Sequence, residues 1–262
     1  STSILSTIKV AAKVEQELIK FAMDAGDDIV VLNLNGAQQS IDASTNFPQV
    51  DLAMPIFADN ERADDDRSDT RNEKSVGRLD IHLAGLSLGM RLTSETQDLV
   101  VTNIGLGEET TTLKFNNHPI FSLDLNKGHS RAFDLTITPL HEEESALFHV
   151  SPALVVDAKL ALGPLLDAIE SEDDPAFLRK DKISVAFIGG DGASMKPLPG
   201  DDRDFEGGLL MVEGALTFSS AAADLTRTIQ AGQCLVPVEP HEAEANNRDP
   251  HPFEFLGAGA CY

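Results

Sequence analysis

The feature that most constrains this fold is a period of two in the apolar residues of many short segments. In FSLDLNKGHSRAFDLTIT, residues 121–138, every second residue is apolar on both sides of a polar stretch, namely Phe121, Leu123, Leu125, Phe133, Leu135 and Ile137. Side chains of a strand point alternately to opposite faces, so the pattern predicts two amphipathic strands joined as a hairpin through Asn-Lys-Gly. A calcium loop starting at Asp124 would need an acidic twelfth residue, which here is Leu135. We therefore interpret residues 121–138 as a hairpin.

Further segments with this period predict a mainly β chain. In RLDIHLAGLSLGMRLT the apolar residues change from odd to even positions at Ala84-Gly85, which predicts a bulge or a tight turn there. VDLAMPIF contains Pro55 and is expected to be an edge strand or a broken one. GLLMVEGALTF, residues 208–218, is expected to be one strand with Leu210 and Val212 on its apolar face. About ten short strands in all predict an antiparallel β-sandwich-like domain.

The first 26 residues have a different period. Apolar residues recur at steps of three and four and form one stripe: Ile4, Ile8, Ala11, Val14, Leu18, Phe21 and Ala25. This spacing predicts an N-terminal amphipathic helix over 1–26 that ends near Gly26, followed by an all-β domain over 27–262 with long acidic loops. The stripe fits packing against the protein's own core, and it also fits docking on a neighbouring subunit.

The charge of the chain excludes some partners. Forty-three acidic residues against 20 basic ones give a formal net charge of −23. Such a surface repels phosphate backbones and anionic headgroups, so we expect neither nucleic acid nor membrane-surface binding, whereas protein partners and divalent cations remain suitable. No run of about 18 apolar residues occurs, so no membrane span is expected.

The two cysteines, Cys234 and Cys261, follow no metal-binding spacing. We expect a disulfide that ties down the C-terminal tail; the alternative is two unrelated buried thiols. A disulfide is typical of secreted proteins, and a chain that begins at Ser1 without Met fits a mature protein or a trimmed one. The expected location is therefore secreted, extracellular or at the cell surface.

The best metal candidate is DRDFEGGLLMVE, residues 202–213. Oxygen ligands would come from Asp202, Asp204, Glu206 and Glu213, with Gly207 at the sharp turn, which is the spacing of an EF-hand calcium loop. No helical pattern flanks the segment, which favours the alternative of an acidic turn that enters a strand. Calcium is thus the cofactor for which the sequence offers the best candidate site.

The histidines form no recognisable site in the sequence. PHEAEANNRDPHPFEF places His241, Glu242, Glu244 and His251 within the expected disulfide loop, where they would suit a surface copper or zinc site or be ordinary exposed loop residues. No catalytic nucleophile signature occurs. The sequence therefore predicts a non-catalytic binding or structural protein, in the form of a self-assembling oligomer or fibre subunit. Two alternatives are a secreted hydrolase that uses carboxylates, with or without a divalent metal, and a calcium-stabilised adhesion module.

Overall fold

We describe the fold from a computed structural model. The described residues are 29–33, 40–58, 74–93, 99–106, 109–140, 145–169, 174–199, 208–239 and 249–261. The expected helix over 1–26 lies outside these residues and stays a prediction, as does the domain boundary that was based on it. Within the described residues the chain is mainly β, as predicted.

The described residues form eighteen strands, two short helices and a 3-10 helix. The strands are β1 Ile29–Asn33, β2 Ser40–Phe47, β3 Val50–Ala58, β4 Lys74–Leu83, β5 Leu86–Thr93, β6 Leu99–Leu106, β7 Thr111–Phe115, β8 His118–Leu125, β9 Phe133–Leu140, β10 Ser145–Ser151, β11 Ala153–Leu160, β12 Asp181–Ile188, β13 Ala193–Leu198, β14 Gly208–Glu213, β15 Ala215–Ser220, β16 Leu225–Gln230, β17 Cys234–Pro237 and β18 Leu256–Gly259. The helices are α1 Gly163–Ala168, α2 Ala176–Arg179 and the 3-10 helix Pro252–Phe255.

The strands form two antiparallel sheets, and successive pairs of strands along the chain are added alternately to one sheet and to the other. The ten-stranded sheet has the order β1-β2-β5-β6-β9-β10-β13-β14-β17-β18, and the eight-stranded sheet has the order β16-β15-β12-β11-β8-β7-β4-β3. Each consecutive pair of strands is a hairpin within one sheet, and the next pair belongs to the other sheet. β1 and β3 are therefore the sheet edges at the N-terminal end of the sandwich, and β16 and β18 are the edges at its C-terminal end.

Sheet-switching connections lie at one end of the strands, and hairpin turns lie at the other. The switches are short: only Pro48-Gln49 separates β2 from β3, and only Ala84-Gly85 separates β4 from β5. Connections this short hold the two sheets together at that end. The strand ends that are joined within a pair lie at the opposite end, and several of the joining segments, 59–73, 141–144, 170–173 and 200–207 among them, contain more acidic than basic residues in their sequence.

This topology corrects three expectations about how strands connect. The residues around 121–138 form two strands, as predicted, but β8 and β9 lie in different sheets, so the connection is a switch and not a hairpin. Ala84-Gly85 is a tight two-residue connection, but it leads from one sheet to the other and is not a bulge within a strand. Residues 208–218 form two strands in different sheets, and it is Met211 that is buried whereas Val212 is 45% exposed. A change of sheet inverts the alternation just as a register slip would.

Gly214 shows what such a switch requires of the backbone. Its φ of 74° lies in the left-handed region. A Cβ at this position would lie 2.7 Å from the carbonyl oxygen of Ile188 and 2.8 Å from the Cβ of Ala193. Glycine avoids both the conformational penalty and the clash, which allows a one-residue crossing between β14 and β15.

The core consists of a large cluster toward the C-terminal end and a smaller one toward the N-terminal end. The large cluster joins buried residues of both sheets: Phe133, Val150, Phe187, Ala193, Met211, Leu216, Phe218 and Ile229. The small cluster contains three buried residues, Ile56, Phe115 and Ile120, with partly buried neighbours that include Leu162, just before α1, and Leu165, within α1. Burial of apolar surface from both sheets is what holds the sandwich together.

Candidate functional site

One concave surface of the described residues is an open, polar cleft on the eight-stranded sheet, which we call the His82 cleft. Its volume is about 500 Å³, and its charged lining residues are Asp51, Arg78, Asp80, His82, Glu109 and Lys114. They come from β3, β4, β7 and the residues just before β7. Asp51 lies directly opposite His82 in the pairing of β3 with β4, and Lys114 lies opposite Asp80 in the pairing of β4 with β7. These residues share the polar face of the sheet because directly paired residues point to the same side.

His82 contacts a carboxylate with each ring nitrogen. Nδ1 lies 2.6 Å from Oδ1 of Asp51, and Nε2 lies 3.0 Å from Oε2 of Glu109. The contact with Glu109 is within ion-pair distance but poorly aligned, and Nε2 is buried without a well-formed hydrogen bond. The hydrogen bond from His82 lowers the pKa of Asp51, and a second one from Gln49 acts in the same direction. The two carboxylates lie on opposite sides of the ring, which is a bridging arrangement and not a shared coordination point.

Asp124, at which a calcium loop could have begun, makes local structural contacts. It accepts hydrogen bonds from Oγ1 of Thr110 at 2.5 Å and from Nζ of Lys127 at 3.3 Å. The Thr110 hydroxyl is the main cause of its lowered pKa, and Lys127 adds to the effect. The loop that follows is held by Asn126, which is fully buried and exchanges hydrogen bonds with the backbone of Ala153 and Val155. These contacts fit a structural connection.

A second polar cluster is buried at the C-terminal end. The carboxylate of Asp181 accepts hydrogen bonds from Oγ of Ser220 at 2.9 and 3.0 Å and from the backbone N–H groups of Lys182 and Ala222 at 2.7 and 2.9 Å. Nε2 of His251 lies 2.9 Å from the same carboxylate. Burial raises the pKa of Asp181, but these donors, led by the Ala222 N–H, outweigh it, so the pKa is lowered overall.

Aspartate, serine and histidine also form the catalytic triads of hydrolases, but the hydrogen bonds among Asp181, Ser220 and His251 are arranged differently. In a triad the imidazole lies between the hydroxyl and the carboxylate, whereas here Asp181 lies between Ser220 and His251. Nδ1 of His251 accepts a hydrogen bond from the N–H of Phe253 at 3.1 Å, so it is not available to activate a nucleophile. The side chains of Asp181 and His251 are almost fully buried. The cluster fixes the 3-10 helix to the eight-stranded sheet.

The expected disulfide is present. Cys234 and Cys261 are bonded and lie 27 residues apart in sequence. Cys234 on β17 is fully buried, and the bond ties the residues after β18 to that strand. The expectation for His251 was wrong, because it is a buried hydrogen-bonding residue and not an exposed one. His241, Glu242 and Glu244 lie outside the described residues.

The structure describes only part of the candidate calcium loop. Asp202, Asp204 and Glu206 lie outside the described residues, and Glu213 is exposed at the end of β14, opposite Ser194. Within the described part of the chain, no three His, Cys, Asp or Glu side chains converge in a way that would hold a metal ion. Calcium binding at 202–213 stays a prediction.

The interior face of the ten-stranded sheet is incompletely covered near its N-terminal end. Met90 pairs with Val101, which pairs with Leu135, and Leu135 packs against the large core cluster. Met90 and Leu92 therefore point to the interior side, yet they are 44% and 46% exposed. The described residues leave this part of the interior open to contact by another segment.

No protein family model matches this chain, and no curated protein or solved structure is significantly similar to it. Among the helices of the described residues, none is long and apolar enough to cross a membrane.

Sequence reasoning did not find the two polar clusters. The alternation in RLDIHL places Asp80 and His82 on one face, which is a usable signal for the polar side of a strand. Asp51 precedes His82 by 31 residues, however, and only the register of β3 with β4 brings them together. Asp181 and His251 are 70 residues apart and lie on elements whose order in the sheets the sequence does not reveal.

Proposed function

We propose that this chain is a non-catalytic structural subunit, secreted or exposed at the cell surface, that assembles with other copies of itself through the N-terminal end of its sandwich. One observation carries the proposal: Met90 and Leu92 face the sandwich interior but are nearly half exposed. Apolar side chains in such a position gain free energy when another segment covers them. The disulfide supports an oxidising location.

The sheet edges at the same end support the proposal. β1 has the sequence IVVLN, which contains neither a charged residue nor proline, and natural proteins use both to block unwanted strand pairing. The other three edges have such features or are short: β3 contains Pro55, β16 contains the exposed Arg227, and β18 is four glycine-rich residues. β1 is therefore the edge best suited to accept another chain.

The apolar stripe from Ile4 to Ala25 is the segment that we propose covers the open interior. It precedes β1 directly in sequence, and its spacing would give one apolar face. In the assembled form the stripe of one copy docks on Met90 and Leu92 of the next. The charge of −23 opposes association of two copies at low ionic strength, so salt is expected to strengthen assembly.

The test is molar mass by light scattering at low and high salt, with calcium and then with chelator. We expect oligomers in the wild type that shift toward monomer in Leu92→Lys and in Ile8→Asp. The matched control is Val212→Lys, because Val212 is equally exposed at 45% but lies on the outer side of β14. A monomer under all conditions would reject the assembly. Loss of the oligomer on chelation would instead favour the calcium-stabilised alternative and bring Asp202, Asp204, Glu206 and Glu213 into the site.

A further inference from the structure

The space beside β17 fits a neighbouring strand that lacks side chains at two alternate positions. In β18 these positions are Gly257 and Gly259. A Cβ on Gly259 would collide with Cγ2 of Val236, and a Cβ on Gly257 would lie 3.0 Å from Cγ1 of Val238, closer than ordinary van der Waals contact. Glycine within a strand is typical of places where another group approaches the backbone closely. The two valines therefore select which strand pairs with β17.

Val236 is enclosed by glycines on both neighbouring strands. On one side it pairs directly with Gly257 of β18. On the other side, a Cβ on Gly208 of β14 would lie 3.3 Å from Cγ1 of Val236 and 3.2 Å from the carbonyl oxygen of Leu235. Side chains of β17 thus fill space that the side chains of adjacent strands occupy in an ordinary sheet. The fit between β17 and its neighbours depends on this arrangement.

β18 is held to β17 at both of its ends. Before β18, the N–H of Val238 donates to the carbonyl oxygen of Phe255 at 2.9 Å, and after it Cys261 is bonded to Cys234. Between these points only four residues pair with β17. When the disulfide is opened, the same segment of another molecule offers identical contacts, which is the basis of strand exchange between copies. The chain itself therefore carries the matching ligand.

We propose that β17 is a docking site for an extended segment with glycine at two alternate positions, and that the C-terminal segment of a second copy occupies it once the disulfide is reduced. Main-chain hydrogen bonds provide affinity, and Val236 and Val238 provide selectivity, as in other cases of strand addition. Two molecules of a thiol such as glutathione open the bond and become one glutathione disulfide. The reverse reaction then joins Cys234 of one copy to Cys261 of the other. This contact lies at the C-terminal end and goes beyond the assembly proposed above.

Capture of a peptide by the full-length variant Cys261→Ala tests the selectivity. The peptide EFLGAGACY, residues 254–262, carries glutathione on its cysteine; the Cys234 thiolate attacks the peptide sulfur, and glutathione leaves as a thiolate. We expect EFLAAAACY, with alanine at both glycine positions, to be captured about tenfold more slowly. EFLGSGACY is the matched control and should react like the parent, because the changed residue, Ala258, is exposed. Mass spectrometry measures the adducts. Equal rates for the glycine and alanine peptides, or no capture of the glycine peptide, would overturn the proposal.

The second copy is tested with the unmodified chain. Nitrogen-15-labelled and unlabelled protein are mixed, reduced, reoxidised with glutathione disulfide and digested. We expect some peptide pairs joined through Cys234 and Cys261 to contain one labelled and one unlabelled partner, whereas a mixture that was never reduced should contain none. The same experiment with Gly259→Ala should give fewer mixed pairs, because the added Cβ collides with Val236. Absence of mixed pairs in the reoxidised wild type would reject a second copy as the partner.

Discussion

The two ends of the sandwich are finished in different ways. At the C-terminal end, β18 contacts β16 across the sheets, His251 bonds to Asp181, and the disulfide fixes the last described residues. At the N-terminal end, the core cluster is small and the interior residues Met90 and Leu92 are half exposed. The comparison indicates that bonds and packing close the C-terminal end, whereas apolar side chains stay exposed at the N-terminal end.

The largest effect that would test this comparison is expected for Asp181→Ala. The substitution leaves Ser220, His251 and two backbone N–H groups without their buried acceptor, and we expect a loss of about 3 to 5 kcal/mol in the free energy of unfolding. Urea titration monitored by circular dichroism measures it. Asp51→Ala, at the exposed N-terminal end, is the matched control and should have a much smaller effect. Equal losses would mean that the ends do not differ in this respect.

Loss of the disulfide is the next largest effect. Its 27-residue separation gives about 3 to 4 kcal/mol from the restricted entropy of the unfolded chain. A reductant should lower the melting temperature of the wild type, and Cys261→Ala should melt at that lower temperature with or without reductant. If reduction leaves the wild-type melting curve unchanged, the C-terminal end owes its stability to packing and hydrogen bonds and not to the disulfide.

Acid should weaken the C-terminal end through Asp181. Its pKa is lowered in the folded protein, so its contribution is present above the ordinary value of 3.8 and is lost as the pH falls through the folded value. The slope from one such group cannot exceed about 1.4 kcal/mol per pH unit. Urea midpoints from pH 5 down to 2.5 should fall more steeply in the wild type than in Asp181→Asn. Parallel curves would show that this carboxylate is not responsible.

The smallest expected effects come from a matched pair of core isoleucines. Ile229→Val removes a methyl group from the large cluster and should cost about 1 kcal/mol, whereas Ile56→Val on edge strand β3 should cost about 0.5 kcal/mol. Ile229 is fully buried, while Ile56 is at the margin of the small cluster. Urea unfolding resolves the difference if both variants are measured together. A larger loss at Ile56 would reverse the comparison.

Much of the strand content could be predicted from the sequence because alternation is a local property. The class of fold, the edge position of β3 with Pro55, and the disulfide were all expected. Strands without strong alternation were missed, among them β13, which is ASMKPL, and β18, which is LGAG. Such segments become strands because their neighbours offer unpaired backbone groups, which is a tertiary effect.

The order of the strands could not be predicted, and the polar clusters depend on that order. A two-residue connection such as Ala84-Gly85 fits a hairpin turn as well as a sheet switch. Whether it is one or the other depends on where the apolar faces of both strands are buried. The Asp51–His82 and Asp181–His251 pairs each require two elements that are far apart in sequence to be placed first. The pattern of apolar and polar residues within one segment does not show which distant segment will lie beside it.

The step-by-step growth of the two sheets also determines how the molecule would respond to tension. β1 and β18 lie at opposite ends of the ten-stranded sheet, and the hydrogen bonds between antiparallel strands run along the line that joins them. A force that pulls the two ends of the sheet apart would act on the hydrogen bonds of one strand pair at a time. These bonds would break in sequence and not all at once, so strands would separate one pair after another at low force. At the C-terminal end the Cys234–Cys261 bond would keep the residues between these two cysteines from being extended. A chain of this topology can thus extend stepwise and still keep one covalent anchor.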